Sequence, residues 1–180
     1  MSKNRVDFNT HDGQLIIVAD ARRGVWATES FIRRTKLQCV RTAGQLPTSS
    51  TGHTLLTVAL LTSLRNITKT QSLELVQTAA VKPISKPRIQ VVVRDATFVD
   101  ALHAKIHRQE GQPFRAGRNF LIELARQLAR FEISFVTDAE DLAAHSLKNW
   151  AVQHVVDRKL IAQMPPALAP AVVSNVSAVC

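Results

Sequence analysis

A chain of 180 residues is enough for one domain with tails and too short for two full-sized domains with linkers. With 46% hydrophobic and 21% charged residues it has the composition of an ordinary globular protein, which excludes wholesale disorder and collagen-like repeats. Lys and Arg number 23 against 14 Asp and Glu, a formal charge of +9. Such a surface draws polyanions by releasing the counterions condensed on phosphates, so nucleic acid is the first partner to expect; the alternative is charge that serves only solubility or docking on an acidic protein.

Residues 1–13 open on a polar stretch without hydrophobic period and are expected to be a flexible lead-in to a domain spanning 14–157. Leu15 to Ala19 (LIIVA) is a continuous β-branched apolar run ending in Asp20, the pattern of a strand buried on both faces. The turn Asp20-Ala-Arg-Arg-Gly24 leads into Val25–Arg34 and Leu37–Ala43, which alternate as two further strands with connections short enough for hairpins. Pro47 to Gly52 is a loop rich in N-cap residues. His53 to Ile67 then carries Leu55, Leu56, Ala59, Leu60, Leu64 and Ile67 at helical spacing. Ser72–Ala80 is ambiguous, and Pro83 and Pro87 bracket a linker.

Arg88–Arg94 (RIQVVVR) is a fourth strand, followed by Asp95 and a helix from Thr97 to about Arg108. Gln109–Arg118 is a basic Gly- and Pro-containing loop, Asn119–Arg130 an amphipathic helix, and Glu132–Val136 a fifth strand. Asp138 opens a last helix to about Val156. From 158 to 180 the chain becomes an Ala/Pro/Val-rich tail, uncharged from Pro165 onward, read as a tail or as a peptide that docks on a protein partner or on its own core.

Two cysteines, Cys39 and Cys180, make no disulfide framework, and no C-x-x-C pair offers a zinc site. This usage suggests a reducing, cytoplasmic location. The polar N-terminus lacks the apolar core of a signal peptide and no run approaches the ~20 apolar residues of a membrane span, so neither export nor a membrane is expected.

Three antiparallel strands, a helix, a fourth strand, helices, a fifth strand and a closing helix resemble the ribonuclease H-like superfamily, which includes the RuvC-type resolvases and the integrases. IIVADARRGVWAT is similar to its first strand and turn, TSSTGHTLLTVALLTSL to its first helix, IQVVVRDATFVDAL to its fourth strand and following helix, and LARFEISFVTDAEDLAAHSL to its last strand and helix. The resemblance implies an α/β fold with a mixed five-stranded sheet, its three antiparallel strands first, flanked by helices. It implies phosphodiester hydrolysis or strand transfer with two Mg²⁺ or Mn²⁺ ions about 3.5–4 Å apart on carboxylate oxygens. The substrate would be an RNA:DNA hybrid, branched DNA or RNA.

Asp20 and Asp95 match the two sheet carboxylates of that family as catalytic and metal-binding residues. Asp138, Glu140 and Asp141 are candidates for the acid of the last helix, with Asp141 and Glu140 best placed to point back at the sheet and Asp138 and Asp141 as metal ligands. The first-helix glutamate is missing: its position falls at Thr54 or His53, and no acid occurs between Glu29 and Glu74. A catalytically degenerate module that binds nucleic acid or a protein assembly is therefore the alternative function.

Each acid also has a plain structural use. Asp20 suits a turn, Asp95 an N-cap, and Thr137-x-x-Glu140 a capping box. Arg22 and Arg23 in the first turn, and Lys105, Arg108, Arg115 and Arg118 around the 109–118 loop, are the expected backbone-gripping cations. His103 and His107, four apart, lack a third metal ligand and suit a surface role. His145 is a candidate for protonating a leaving group. Trp26 and Trp150 suit packing, since a chain with 5% aromatics and no Tyr has little with which to stack bases. EISFVTDAEDL also resembles the late strand and acidic turn of PIN-like ribonucleases, but these are built on a parallel sheet and the early hairpins argue against them.

Overall fold

The computed structural model describes residues 10–33, 37–77, 86–109, 119–137 and 142–163. Five strands form one sheet, β1 (Gly13–Asp20), β2 (Val25–Arg33), β3 (Leu37–Gln45), β4 (Arg88–Val93) and β5 (Glu132–Thr137), in the order β3-β2-β1-β4-β5. β1 and β3 run antiparallel to β2, while β4 runs parallel to β1 and β5 parallel to β4. The expected mixed sheet is therefore present, and an all-parallel PIN-like sheet is excluded by the two hairpins.

Because side chains alternate along a strand, the apolar run of β1 feeds two cores at once. Leu15 and Ile17 join Ile89, Val91 and Val93 of β4 on one face, while Ile16 and Val18 join Val92 on the other. The first face is covered by α1 (Gly52–Gln77), α2 (Ala96–Gln109) and α3 (Asn119–Leu128). The second face carries α4 (Leu142–Gln163) through Ala144, Leu147 and Ala151. Gly24 closes the β1–β2 turn at φ 64°, a conformation open to glycine at no steric cost, and its carbonyl accepts the Leu46 amide at 2.8 Å.

Several boundaries differ from expectation for a physical reason. α1 runs ten residues past Ile67. It is linked to α3 by polar contacts, Arg65 Nε to Glu123 Oε1 at 3.5 Å within the span of the apolar stripe and Thr68 Oγ1 to Gln127 Oε1 at 2.9 Å just past it. The end of the lead-in is tied to the sheet: the Arg88 amide donates to the Asp12 carboxylate at 2.8 Å, and His11 meets Ser134 at 3.0 Å. α4 continues to Gln163, so residues 158–163 of the expected tail are helical. No described helix is long and apolar enough to cross a membrane.

Candidate functional site

The two aspartates do come to the same end of the sheet. β1 ends at Asp20, and β4 ends at Val93, two residues before Asp95. The parallel pairing ends at Ile17 and Val93, so both aspartates lie past it, and their partners rather than the register fix the way each carboxylate turns.

Asp20 is only 6% exposed and points toward α4. Arg23 donates to it twice, from its guanidinium at 3.0 Å and from its backbone amide at 3.4 Å. Lys148 Nζ of α4 stands 3.8 Å from the same carboxylate. Burial alone pushes the Asp20 carboxyl up, but the Arg23 hydrogen bonds and the Lys148 charge outweigh it and hold the group below its ordinary value.

Asp95 points to the α1 side. It is the N-cap of α2, accepting from the Thr97 amide at 3.0 Å and the Thr97 hydroxyl at 2.7 Å. His53 Nε2 lies 3.0 Å from its other oxygen; a carboxylate only accepts, so the ring nitrogen donates. The Thr97 hydroxyl bond first, then the His53 bond against the opposing effect of burial, hold the Asp95 carboxyl below its ordinary value. The His53 ring stands edge-on to Phe98 at 5.9 Å.

At this end of the sheet lies a cleft of about 260 Å³ that Asp95 and Lys148 line and Asp20 does not. β1 contributes Ile17, Val18 and Ala19, and the turn after it Ala21; Arg94 and Asp95 follow β4. Gly52 and Leu56 come from α1, and Lys148 from α4. Where the family's first-helix glutamate was sought, Thr54 is exposed and bonded to Thr51 at 2.9 Å. His53 instead meets Asp95, and the α1 side chain in the cleft is that of Leu56.

Asp138, Glu140 and Asp141 lie outside the described residues, as do Arg115 and Arg118. Arg22, Lys105 and Arg108 are exposed, the last two on α2. His103 and His107 are exposed on the same helix, with His103 edge-on to Phe135 at 6.0 Å, and His145 is exposed on α4. Arg41 is bound to the buried Glu29 at 2.8 Å and lies over the Trp150 ring. Trp26 packs in the core.

Lys148, Arg94 and Thr97 were not singled out from the sequence. Lys148 had a legible signal, for it directly follows Leu147 in the Ala144–Leu147–Ala151 stripe that seats α4 on the sheet.

No family model matches the sequence, and no curated protein matches it. Among solved structures the chain is similar to LC9-RNase H1, a type 1 RNase H with the type 2 active-site motif. That pair has 11% identity and a TM-score of 0.53 over 84% of this chain and 75% of that one. It is also similar to RNase H1 from the halophilic archaeon Halobacterium salinarum NRC-1, with 12% identity and a TM-score of 0.45 over 79% of this chain and 96% of that one. The first of these, with the strand order above, defines the class: the protein has the ribonuclease H-like fold.

The described side chains do not fit the pair of divalent cations that such a fold invites. Asp20 is already neutralised by Arg23 and Lys148, and both oxygens of Asp95 are engaged by Thr97 and His53. Among the described residues no three His, Cys, Asp or Glu side chains group to hold a metal ion.

Proposed function

We propose that this chain is a ribonuclease H-fold module that binds nucleic acid through its backbone without hydrolysing it. The observation that carries this reading is the pairing of buried Asp20 with Arg23 and Lys148, which puts protein cations where the fold would hold metal. The charge of +9 supports an anionic polymer as partner. Exposed Arg22, Lys105 and Arg108 are backbone contacts in this reading, joined by Arg115 and Arg118. Such contacts give affinity without sequence choice.

The second reading, a Mg²⁺- or Mn²⁺-dependent nuclease, is favoured by the arrival of Asp20 and Asp95 at the ends of neighbouring parallel strands. Asp138, Glu140 and Asp141, which fall between β5 and α4 in the chain, would complete its acids. One experiment separates the two. The full chain is mixed with fluorescently labelled RNA:DNA hybrid, branched DNA and single-stranded RNA, with either Mg²⁺, Mn²⁺ or EDTA. The binding module retains affinity in EDTA and leaves every substrate intact; metal-dependent cleavage that Asp95→Asn abolishes would establish the nuclease instead. Absence of binding to all three would overturn both.

A further inference from the structure

An edge strand presents a row of backbone N–H and C=O groups that another chain can complete, and β5 is an edge of the sheet. We infer that β5 is the seam at which two copies of this chain pair antiparallel about a twofold axis at Ser134, joining their sheets into one. This pairing is independent of the nucleic-acid reading.

The Glu132 amide donates to the Pro87 carbonyl at 2.9 Å, on the β4 side, and backbone groups alternate in direction along a strand. Glu132, Ser134 and Val136 therefore turn theirs to β4, while Ile133, Phe135 and Thr137 turn theirs outward, where no described segment pairs with them. Between Glu132 and Thr137 the strand has neither charge nor proline, two devices that keep an edge from pairing. Ile133, Phe135 and Val136 are only half-buried, although each lies level with a buried residue of β4. The side without a neighbouring strand is the outer one.

Charge around β5 selects a second copy as the partner. Near its start the exposed Arg126 and Arg130 outnumber Glu132, and Arg88 beside Glu132 is balanced by Asp12. At its end Asp138, Glu140 and Asp141 follow in the chain, against Arg94 after β4. The edge is thus positive at one end and negative at the other, and an antiparallel copy of the same edge sets each end against its opposite. Charge also selects the register. About Ser134, Ile133 faces Phe135 of the second copy, an aliphatic–aromatic pair. A twofold at Phe135 would instead set Glu132 against Asp138, and like charges directly opposite are unfavourable.

Both strand edges are consumed in such a pair, so assembly closes at two copies along this seam. A twofold perpendicular to the sheet keeps the first face of both copies on one side. α2 meets β5 on that face, His103 standing edge-on to Phe135, so the exposed Lys105 and Arg108 of both copies belong to one surface.

A seam six residues long is a small interface, and association in the micromolar range is expected. Sedimentation velocity of the full chain, freed of nucleic acid, should show monomer passing to dimer across that range. Ser134 is exposed, so substitutions there keep the fold, as circular dichroism would check. Ser134→Lys sets two cations together at the axis and should weaken the dimer at least tenfold, and Arg130→Glu should weaken it severalfold. Ser134→Cys should give a disulfide-linked dimer under mild oxidation, because opposed residues at a non-hydrogen-bonded position lie about 4.5 Å apart at Cα, within disulfide reach. Val136→Cys, placed opposite Glu132, and the wild-type chain with Cys39 and Cys180 should cross-link far less. The inference is overturned if the chain stays monomeric throughout, if neither Ser134→Lys nor Arg130→Glu weakens the dimer, or if Val136→Cys or wild type cross-links as readily as Ser134→Cys.

Discussion

Asp20 shows how one side chain can answer a sequence pattern and change its meaning. An aspartate at the end of a buried strand was legible from LIIVAD, but its environment depends on a helix more than a hundred residues later. Because Arg23 and Lys148 hold its carboxyl below the ordinary value, the unfolded chain binds a proton here more readily than the folded one. The stability this supplies is complete above the unfolded pKa of about 4 and is lost as pH falls through the folded value. Asp20→Asn should therefore flatten the acid limb of a stability–pH profile measured by urea unfolding. It should also cost about 1–2 kcal/mol at pH 7, since water reaches both cations it leaves, Arg23 more than Lys148; an unchanged acid limb would contradict the pairing. At Gly44 a different residue-scale constraint operates, for a Cβ there would come within 2.5 Å of the buried Trp26 ring. Gly44→Ala should lower stability by about 1–3 kcal/mol, the range for overpacking, and calorimetry would show it.

Among the elements, the apolar half of α1 and its polar continuation were unequally visible. Leu55, Leu56, Ala59, Leu60, Leu64 and Ile67 are all buried, and their 3.6-residue spacing announced the helix. The last ten residues lie past that stripe, and the first of them, Thr68, is anchored by its hydrogen bond to Gln127, which depends on where α3 lies. Leu60→Ala should cost about 2–5 kcal/mol, as for other fully buried leucines. Thr68→Val should cost only about 1 kcal/mol, the worth of one hydrogen bond; equal losses in a urea titration would argue against this division of the helix. β1 gives the converse case. Its unbroken apolar run predicted burial on both faces, and all its residues but Ala19 are fully buried.

At the scale of the molecule, charge and fold have separate consequences. The excess of cations belongs to the whole chain, yet not every cation is available to a polyanion: Arg41 is committed to Glu29, and Arg23 to Asp20. Lys105 and Arg108 on α2 are exposed. If the protein grips a duplex by its backbone, log affinity should fall linearly with log salt. Lys105→Gln and Arg108→Gln should each reduce the slope by about 0.9, with no change between Mg²⁺ and EDTA. Anisotropy titrations across a salt series measure this, and unchanged slopes in both variants would remove α2 from the interface.

The order and type of the elements were set by local patterns, period two in the hairpins, near-continuous runs in β1 and β4, and period 3.6 in the helices. Together they gave an element order that resembles the ribonuclease H-like superfamily, and the mixed sheet followed from that resemblance. Those patterns report which faces are buried and are blind to which residues meet across the chain. The candidate site is made of such meetings: His53 with Asp95 from α1 to the end of β4, and Lys148 with Asp20 from α4 to the end of β1. α1 and α4 pack on opposite faces of the sheet, and no single-sequence period encodes which helix reaches a given strand end. Tertiary structure alone therefore decided the partners of each carboxylate, Arg23 and Lys148 for Asp20 and His53 and Thr97 for Asp95.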